Sequence, residues 1–240
     1  HGLGFTLNFD FEQPPVIYPT HFFELQTNKL SVGGIDLEIQ HTPGETDDQI
    51  IIYYPEKDVV ISADNYYMRF PNLYPIRGTS YRDSKSWYKS VDAMRSYQPQ
   101  YLISCHGPFL KGKDVIEERL SIYRDAIQFI HDYAIRGANA GKTPDELVEE
   151  FEYPPFFLEN YDLEEKYGKV SWSIRNVYNG YLGFFDGRAV NLEPLSKKKR
   201  ARHIFELIGS KEQLIEQINK ANNSSNYQWA AELSDIGLLN

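Results

Sequence analysis

Hydrophobic and polar positions change rhythm once along this chain, near residue 112. Before that point the apolar residues come in short runs rich in β-branched and aromatic side chains, separated by turn residues. That is the pattern of half-buried strands. FTLNF at 5–9 is expected to be a strand. KLSV and IDLEIQ flank Gly33 and Gly34, and the paired glycines predict a hairpin. IIIYY at 50–54 and VVISA at 59–63 flank PEKD and predict a second hairpin. Trp87, Val91 and Met94 recur at helical spacing within 84–97, and YLIS at 101–104 predicts a short buried strand leading into CHGPF.

Beyond residue 112 the period is helical. Val115, Ile116, Leu120, Ile122, Tyr123, Ala126, Ile127, Ile130 and Ala134 lay a wide apolar stripe on one long helix, which Gly137 and Gly141 are expected to end. Thr143, Pro144 and Glu146 form a capping box with proline at the first helical position, so a new helix starts there, with Leu147, Val148 and Phe151 on its apolar face. A further helix is expected over 163–182, with Val170, Ile174, Val177, Tyr178, Tyr181 and Leu182 inward. Ser210 with Gln213 opens another, whose face is Leu214, Ile215 and Ile218. The expected architecture is a mixed α/β front half and an all-helical back half.

Composition narrows the function classes. The 240 residues are 41% hydrophobic and 15% aromatic, enough for a real core in one large domain or two small ones. A net charge of −9 argues against nucleic acid as the main partner. The basic run KKKR at 197–200 is expected on a solvated helix face. A single cysteine, Cys105, excludes an intrachain disulfide framework and leaves the compartment open. No stretch approaches the apolar length of a membrane span. The chain starts at His1 and its methionines are Met68 and Met94, so it is expected to be a piece of a longer product.

Candidate chemistry gathers at strand ends. Glu45 follows IDLEIQ across a Pro-Gly turn, Asp64 follows VVISA, and His106 follows YLIS after Cys105. If these strands share a sheet, all three side chains emerge at one edge, where loops on a rigid scaffold can assemble a site. Carboxylate and imidazole are ligands suited to zinc, manganese or iron. Each residue also has an ordinary reading: Glu45 as a surface carboxylate, Asp64 as a turn cap, His106 as a loop histidine. Arg77, in NLYPIRG, is placed either to hold an oxyanion or to pair with a surface carboxylate, and Arg82 is a weaker case of the same kind. His131 is expected to be structural and His203 exposed, while His21 and His41 are undetermined.

TPGET at 42–46, ADN at 63–65 and SCHGP at 104–108 occur in the order and approximate spacing of the later metal motifs of the metallo-β-lactamase superfamily. FPNLYPIRGTSYRD at 70–83 and VYNGYLGFFDGRAVNLEPL at 177–195 resemble its alkyl sulfatase branch, and NYQWAAELSD at 226–235 resembles the segment that follows. The resemblance covers nearly the whole chain. It implies part of an αββα sandwich over residues 1–111, then an all-helical dimerisation domain over 112–240. It implies a site with two zinc ions, for which Glu45, Asp64 and His106 match metal ligands, Asp64 as the bridging carboxylate. Asn72, Arg77 and Arg82 match the sulfate pocket.

The family's first motif, His-x-His-x-Asp-His, is not in these 240 residues. The implied activity is hydrolysis of alkyl sulfate esters to alcohol and sulfate by a longer homodimeric parent protein. With three ligands for two metals, the chain alone is expected to bind zinc weakly and to be inactive. Two other readings stay open: another hydrolase of the superfamily, such as a lactonase or thioesterase, and a non-catalytic dimerisation module. Asp47 and Asp48, beside Glu45, are expected to be solvated turn residues or partners that orient a ligand.

Overall fold

A computed structural model describes residues 17–20, 22–23, 27–76 and 78–239. The strand expected at 5–9, together with His21 and Arg77, lies outside the described residues. Contacts divide the chain into two compact units, which meet in sequence between Phe184 and Phe185.

The first unit holds one six-stranded sheet, β1 (Asn28–Val32), β2 (Ile35–His41), β3 (Ile50–Tyr54), β4 (Val59–Ala63), β5 (Tyr101–Ser104) and β6 (Leu110–Lys111), in that spatial order. Gly33 and Gly34 close the first hairpin with φ of +60° and +81°, the left-handed pair that a two-residue turn requires. Between β3 and β4, Asp58 takes φ of +53° and its carbonyl accepts from the backbone of Gln100 and Tyr101, tying the second hairpin to β5. β1 to β4 form an antiparallel meander. β4 and β5 run parallel, linked through α1 (Ser84–Ser96), which Asp83 caps by accepting from the Lys85 and Ser86 amides. Two reversals separate β2 from β4, so β2, β4 and β5 all point their C-terminal ends to the same sheet edge.

One face of the sheet buries Ile51, Val60 and Leu102. Trp87, Val91 and Met94 of α1 and the stripe of α2 (Lys113–Asn139) join them in one core. The other face presents Ile61 and Ile103, neighbours across β4 and β5, to solvent. This is one helix-covered face of a sandwich. α2 runs through Gly137, which packs tightly on Leu147, and stops at Asn139 before Gly141. The capping box at Thr143 starts α3 (Pro144–Glu149) as the sequence predicts.

The expected helix over 163–182 is shorter than its pattern. A separate turn of helix, α4 (Pro155–Glu159), precedes it, and α5 begins only at Val170 and ends at Leu182. Residues 161–168 are taken by the loop after β4 instead. Phe70 N–H donates to Glu164 O, and Gly168 N–H donates to Phe70 O. Val170, Ile174, Val177 and Tyr178 point inward as expected, while Tyr181 and Leu182 are half exposed.

The second unit is a small helical cluster of α6 (Lys197–Ile208), α7 (Lys211–Asn223) and α8 (Tyr227–Leu239) around Ala201, Leu214, Leu233 and Ile236. Ser210 Oγ accepts from Gln213 N–H and opens α7. Leu214 is buried, but Ile215 faces outward. KKKR opens α6 on its exposed side. No helix among the described residues is long and apolar enough to cross a membrane.

Candidate active site

The turn after β2 is folded so that one of its carboxylates goes in and two stay out. Thr42 N–H donates to Gln49 O at 2.8 Å, and Gly44 N–H to Thr46 O at 3.1 Å. His41 Nε2 lies 2.6 Å from Asp47 O, and Thr46 Oγ1 donates to Asp48 Oδ1. Asp47 and Asp48 are exposed, whereas Glu45 is 7% exposed.

Asn65, fully buried, clamps this turn from the end of β4. Its Nδ2 donates to Thr42 O at 2.6 Å and its Oδ1 accepts from Glu45 N–H at 3.4 Å. Trp87 Nε1 donates to Asn65 O at 3.0 Å, and Ser90 Oγ donates to Pro43 O at 2.8 Å. Helix α1 therefore fixes the loop that carries Glu45.

Asp64 leaves β4 through a register irregularity at Ile61–Ala63, and Ala63 takes φ of +48°. A bulge of this kind turns a side chain out of the ladder, as bulges next to functional sites do. Its Oδ1 lies 2.7 Å from His106 Nδ1, at the end of β5. His106 is 75% exposed in its side chain, and Gly107 at φ of +95° bends the chain away behind it. The hydrogen bond and the charge of Asp64, in that order, hold the His106 imidazole above its ordinary pKa, with a smaller push from Glu45.

Glu45, Asp64 and His106 thus line one cleft, of about 410 Å³. The rest of its lining is Tyr67, Met68, Arg69, Gly107, Pro108, Tyr161 and Tyr167. Asn72 and Arg82 stand behind the wall, both almost fully buried. Arg82 Nη1 reaches Glu45 Oε1 at 3.0 Å and donates to Asn72 O at 2.6 Å. Asn72 N–H donates to Tyr67 Oη at 2.6 Å. Burial foremost, with the charge of Glu45 adding to it, pushes the Tyr67 hydroxyl well above its ordinary pKa, so it stays a neutral hydrogen-bonding group.

The donor set suits a divalent metal in kind: two carboxylates and an imidazole on one cleft. It falls short in convergence. Among the described residues no group of three or more histidine, cysteine, aspartate or glutamate side chains comes close enough to hold an ion. Of the other histidines, His131 is buried, 2.8 Å from Asp132 and 2.9 Å from Tyr181 Oη, and His203 is exposed beside Glu206, the first structural and the second exposed as expected.

Sequence reasoning missed the second wall. Tyr161 and Tyr167 come from the helical half, more than fifty residues beyond His106. They are keyed in by Asp162, which accepts from Tyr66 Oη at 2.8 Å and from Arg119 Nη1 at 2.9 Å in the interior. Nothing in the local sequence marks this wall, because the burial of Asp162 that seats it exists only in the folded chain.

Two family models match the chain. That of the metallo-beta-lactamase superfamily covers residues 2–106, and that of alkyl sulfatase dimerisation covers residues 143–238. A linear primary-alkylsulfatase of Pseudomonas sp. (strain ATCC 19151) is 38% identical over 225 residues, 92% of this chain and 42% of that protein. The chain belongs to the alkyl sulfatase branch of the metallo-β-lactamase superfamily. Its likeness extends to an (R)-specific secondary-alkylsulfatase of Pseudomonas sp., 31% identical over 92% of this chain and 34% of that protein. Among solved structures, the stereoselective inverting sec-alkylsulfatase Pisa1 from Pseudomonas sp. superimposes with a TM-score of 0.87 at 30% identity, over 91% of this chain and 35% of that one. The chain spans less than half the length of these alkyl sulfatase relatives. Within it, the region matched as dimerisation also supplies Tyr161 and Tyr167 to the cleft.

Proposed function

We propose that this chain is part of a longer, homodimeric alkyl sulfatase that hydrolyses alkyl sulfate esters to an alcohol and inorganic sulfate with two zinc ions. One observation carries the reading: the ends of three strands running the same way bring Glu45, Asp64 and His106 onto one cleft, with a buried guanidinium directly behind Glu45. We assign residues 1–111 to the sandwich and 112–240 to the helical domain.

In this reading Glu45, Asp64 and His106 hold the metals together with a His-x-His-x-Asp-His segment from elsewhere in the longer protein. When bound, the ions supply hydroxide near neutral pH and polarise the ester. The chain's own residues do the rest. Arg82 fixes Glu45 in direction through their ion pair, and the Asn65 clamp holds the turn that presents it. Asn72, Arg77 and Arg82 form the sulfate pocket. In support, Arg82 Nε, behind the cleft wall, is a buried donor with no hydrogen-bond partner among the described residues.

The test uses the longer protein, wild type and Glu45→Ala. Bound zinc per chain and sulfate release from a medium-chain alkyl sulfate are measured together. About two zincs in the wild type, with release lost in the variant, supports the reading. Full zinc and full release in the variant would reduce Glu45 to a turn residue. Preferential turnover of a lactone or thioester would move the protein to another hydrolase of the superfamily.

A further inference from the structure

Arg69 is the guanidinium on the cleft lining among the described residues, and no carboxylate forms a direct ion pair with it there. Its Cζ sits 4.0 Å from the centroid of the Tyr161 ring. Its Nη1 donates to Met68 O at 2.5 Å and its Nη2 donates to Tyr161 Oη. Both acceptors are neutral. The nearby cations are each taken by a carboxylate: Arg82 by Glu45, and Lys166 by Glu164 at 2.7 Å. Arg69 has no ion pair of that length among the described residues; Glu164, already paired with Lys166, feels its charge only as a lesser influence.

A half-buried cation pays for partial desolvation and recovers it only through a partner. A ring beneath the guanidinium and two neutral acceptors fix its plane without neutralising it, which pre-organises it for a planar, two-pronged contact.

We propose that Arg69 is an anion-holding residue of this cleft. It takes the sulfate group of the ester as it enters and the sulfate ion as it leaves, with Tyr161 as the platform that orients it. The inference rests on the sulfatase reading for its substrate, and on the cleft alone for its anion.

The longer protein is compared as wild type, Arg69→Gln, Arg69→Lys and Tyr161→Phe. Three quantities are measured: KM and kcat for a medium-chain alkyl sulfate, inhibition by inorganic sulfate, and inhibition by the corresponding neutral alcohol. Loss of a charge-assisted contact predicts about a tenfold rise in KM and a tenfold weaker sulfate inhibition in Arg69→Gln. Alcohol inhibition should stay within about twofold in that variant, and the loss of turnover should fall on KM more than on kcat. Arg69→Lys should recover part of the sulfate inhibition. Tyr161→Phe, which keeps the ring and loses the acceptor, should fall between wild type and Arg69→Gln.

Sulfate and alcohol inhibition weakening together in Arg69→Gln would mean that Arg69 only shapes the wall, and would overturn the proposal. So would unchanged sulfate inhibition alongside normal sulfatase activity, which leaves the function itself standing. If the wild type releases no sulfate from any alkyl sulfate, the sulfatase reading falls and calorimetry with inorganic sulfate decides Arg69. About tenfold weaker binding in Arg69→Gln sustains the anion-holding role. Unchanged binding, or no binding by the wild type, ends it.

Discussion

Glu45 Oε1 and Arg82 Nη1 meet at 3.0 Å with both side chains almost wholly out of solvent, although one residue sits in a turn after β2 and the other just before α1. Two opposite charges at this depth are strongly coupled, because water no longer screens either. Deleting one leaves the other buried beside a poorer partner. Arg82→Met should destabilise the longer protein by about 3 kcal/mol, read from the denaturant midpoint. A loss under about 1 kcal/mol would mean the pair behaves as an exposed one.

Much of this frame was legible in the sequence, and the reasons are local. Gly33–Gly34 specifies its hairpin through two positive φ angles, and the Thr143 capping box specifies the start of α3 through its own hydrogen bonds. The strand ends that carry Glu45, Asp64 and His106 follow from short apolar runs. What was not legible depends on distant partners. Helix α5 loses the first seven residues expected of it because Glu164 and Gly168 bond to Phe70 instead, nearly a hundred positions away. Tyr161, Tyr167 and Arg69 reach the cleft through that same pairing, which no spacing announces. Asn65 lay inside a motif, yet its clamp on Thr42 and Glu45 needed the fold to bring β4 beside the turn.

The 240 residues expressed alone should bind zinc weakly and release no sulfate. Three donors of which two are already engaged with each other, Asp64 with His106, leave a metal short of four contacts. The exposed pair Ile61 and Ile103 on the sheet's open face should also make this form bind a hydrophobic dye. Zinc titration against a chelating indicator checks the first point. Nanomolar affinity and turnover by the isolated chain would remove the need for ligands from elsewhere.

Acid should weaken the tie between the second hairpin and α2. Lys113 Nζ lies 2.9 Å from Asp58 Oδ2, and its hydrogen bond is the main cause holding the Asp58 carboxyl below its ordinary range, with Tyr53 helping and burial opposing. A carboxylate with a depressed folded pKa contributes stability above its unfolded pKa, and that stability disappears as pH falls through the folded value. Lys113 is half exposed, so solvent screening limits the pair to about 0.5 kcal/mol. Lys113→Met should therefore cost about that much at neutral pH, and progressively less as the pH is lowered from the ordinary aspartate range near 3.9. Denaturant melts of wild type and variant at several pH values check this. A difference that stays constant down to acid would assign the loss to packing of the lysine stem.

The glycine of TPGET explains why the motif needs that residue. A Cβ on Gly44 would lie 2.0 Å from Asn65 Oδ1 and 3.1 Å from Trp87 Cδ1. Neither neighbour is free to give way. Asn65 is held at both ends, by its donation to Thr42 O and by the Trp87 indole on its carbonyl, and Trp87 is fully buried in the core. Overpacking at such a point costs about 1–3 kcal/mol, and the strain falls on the clamp that orients Glu45. Gly44→Ala should therefore lower sulfate release in the longer protein by much more than its loss of stability accounts for at a temperature where it remains folded. Asn65→Ala in the same background should then add little further loss, since two changes that break one clamp are not additive. Independent, multiplying losses from the two substitutions would show that Gly44 and Asn65 act on separate features of the turn.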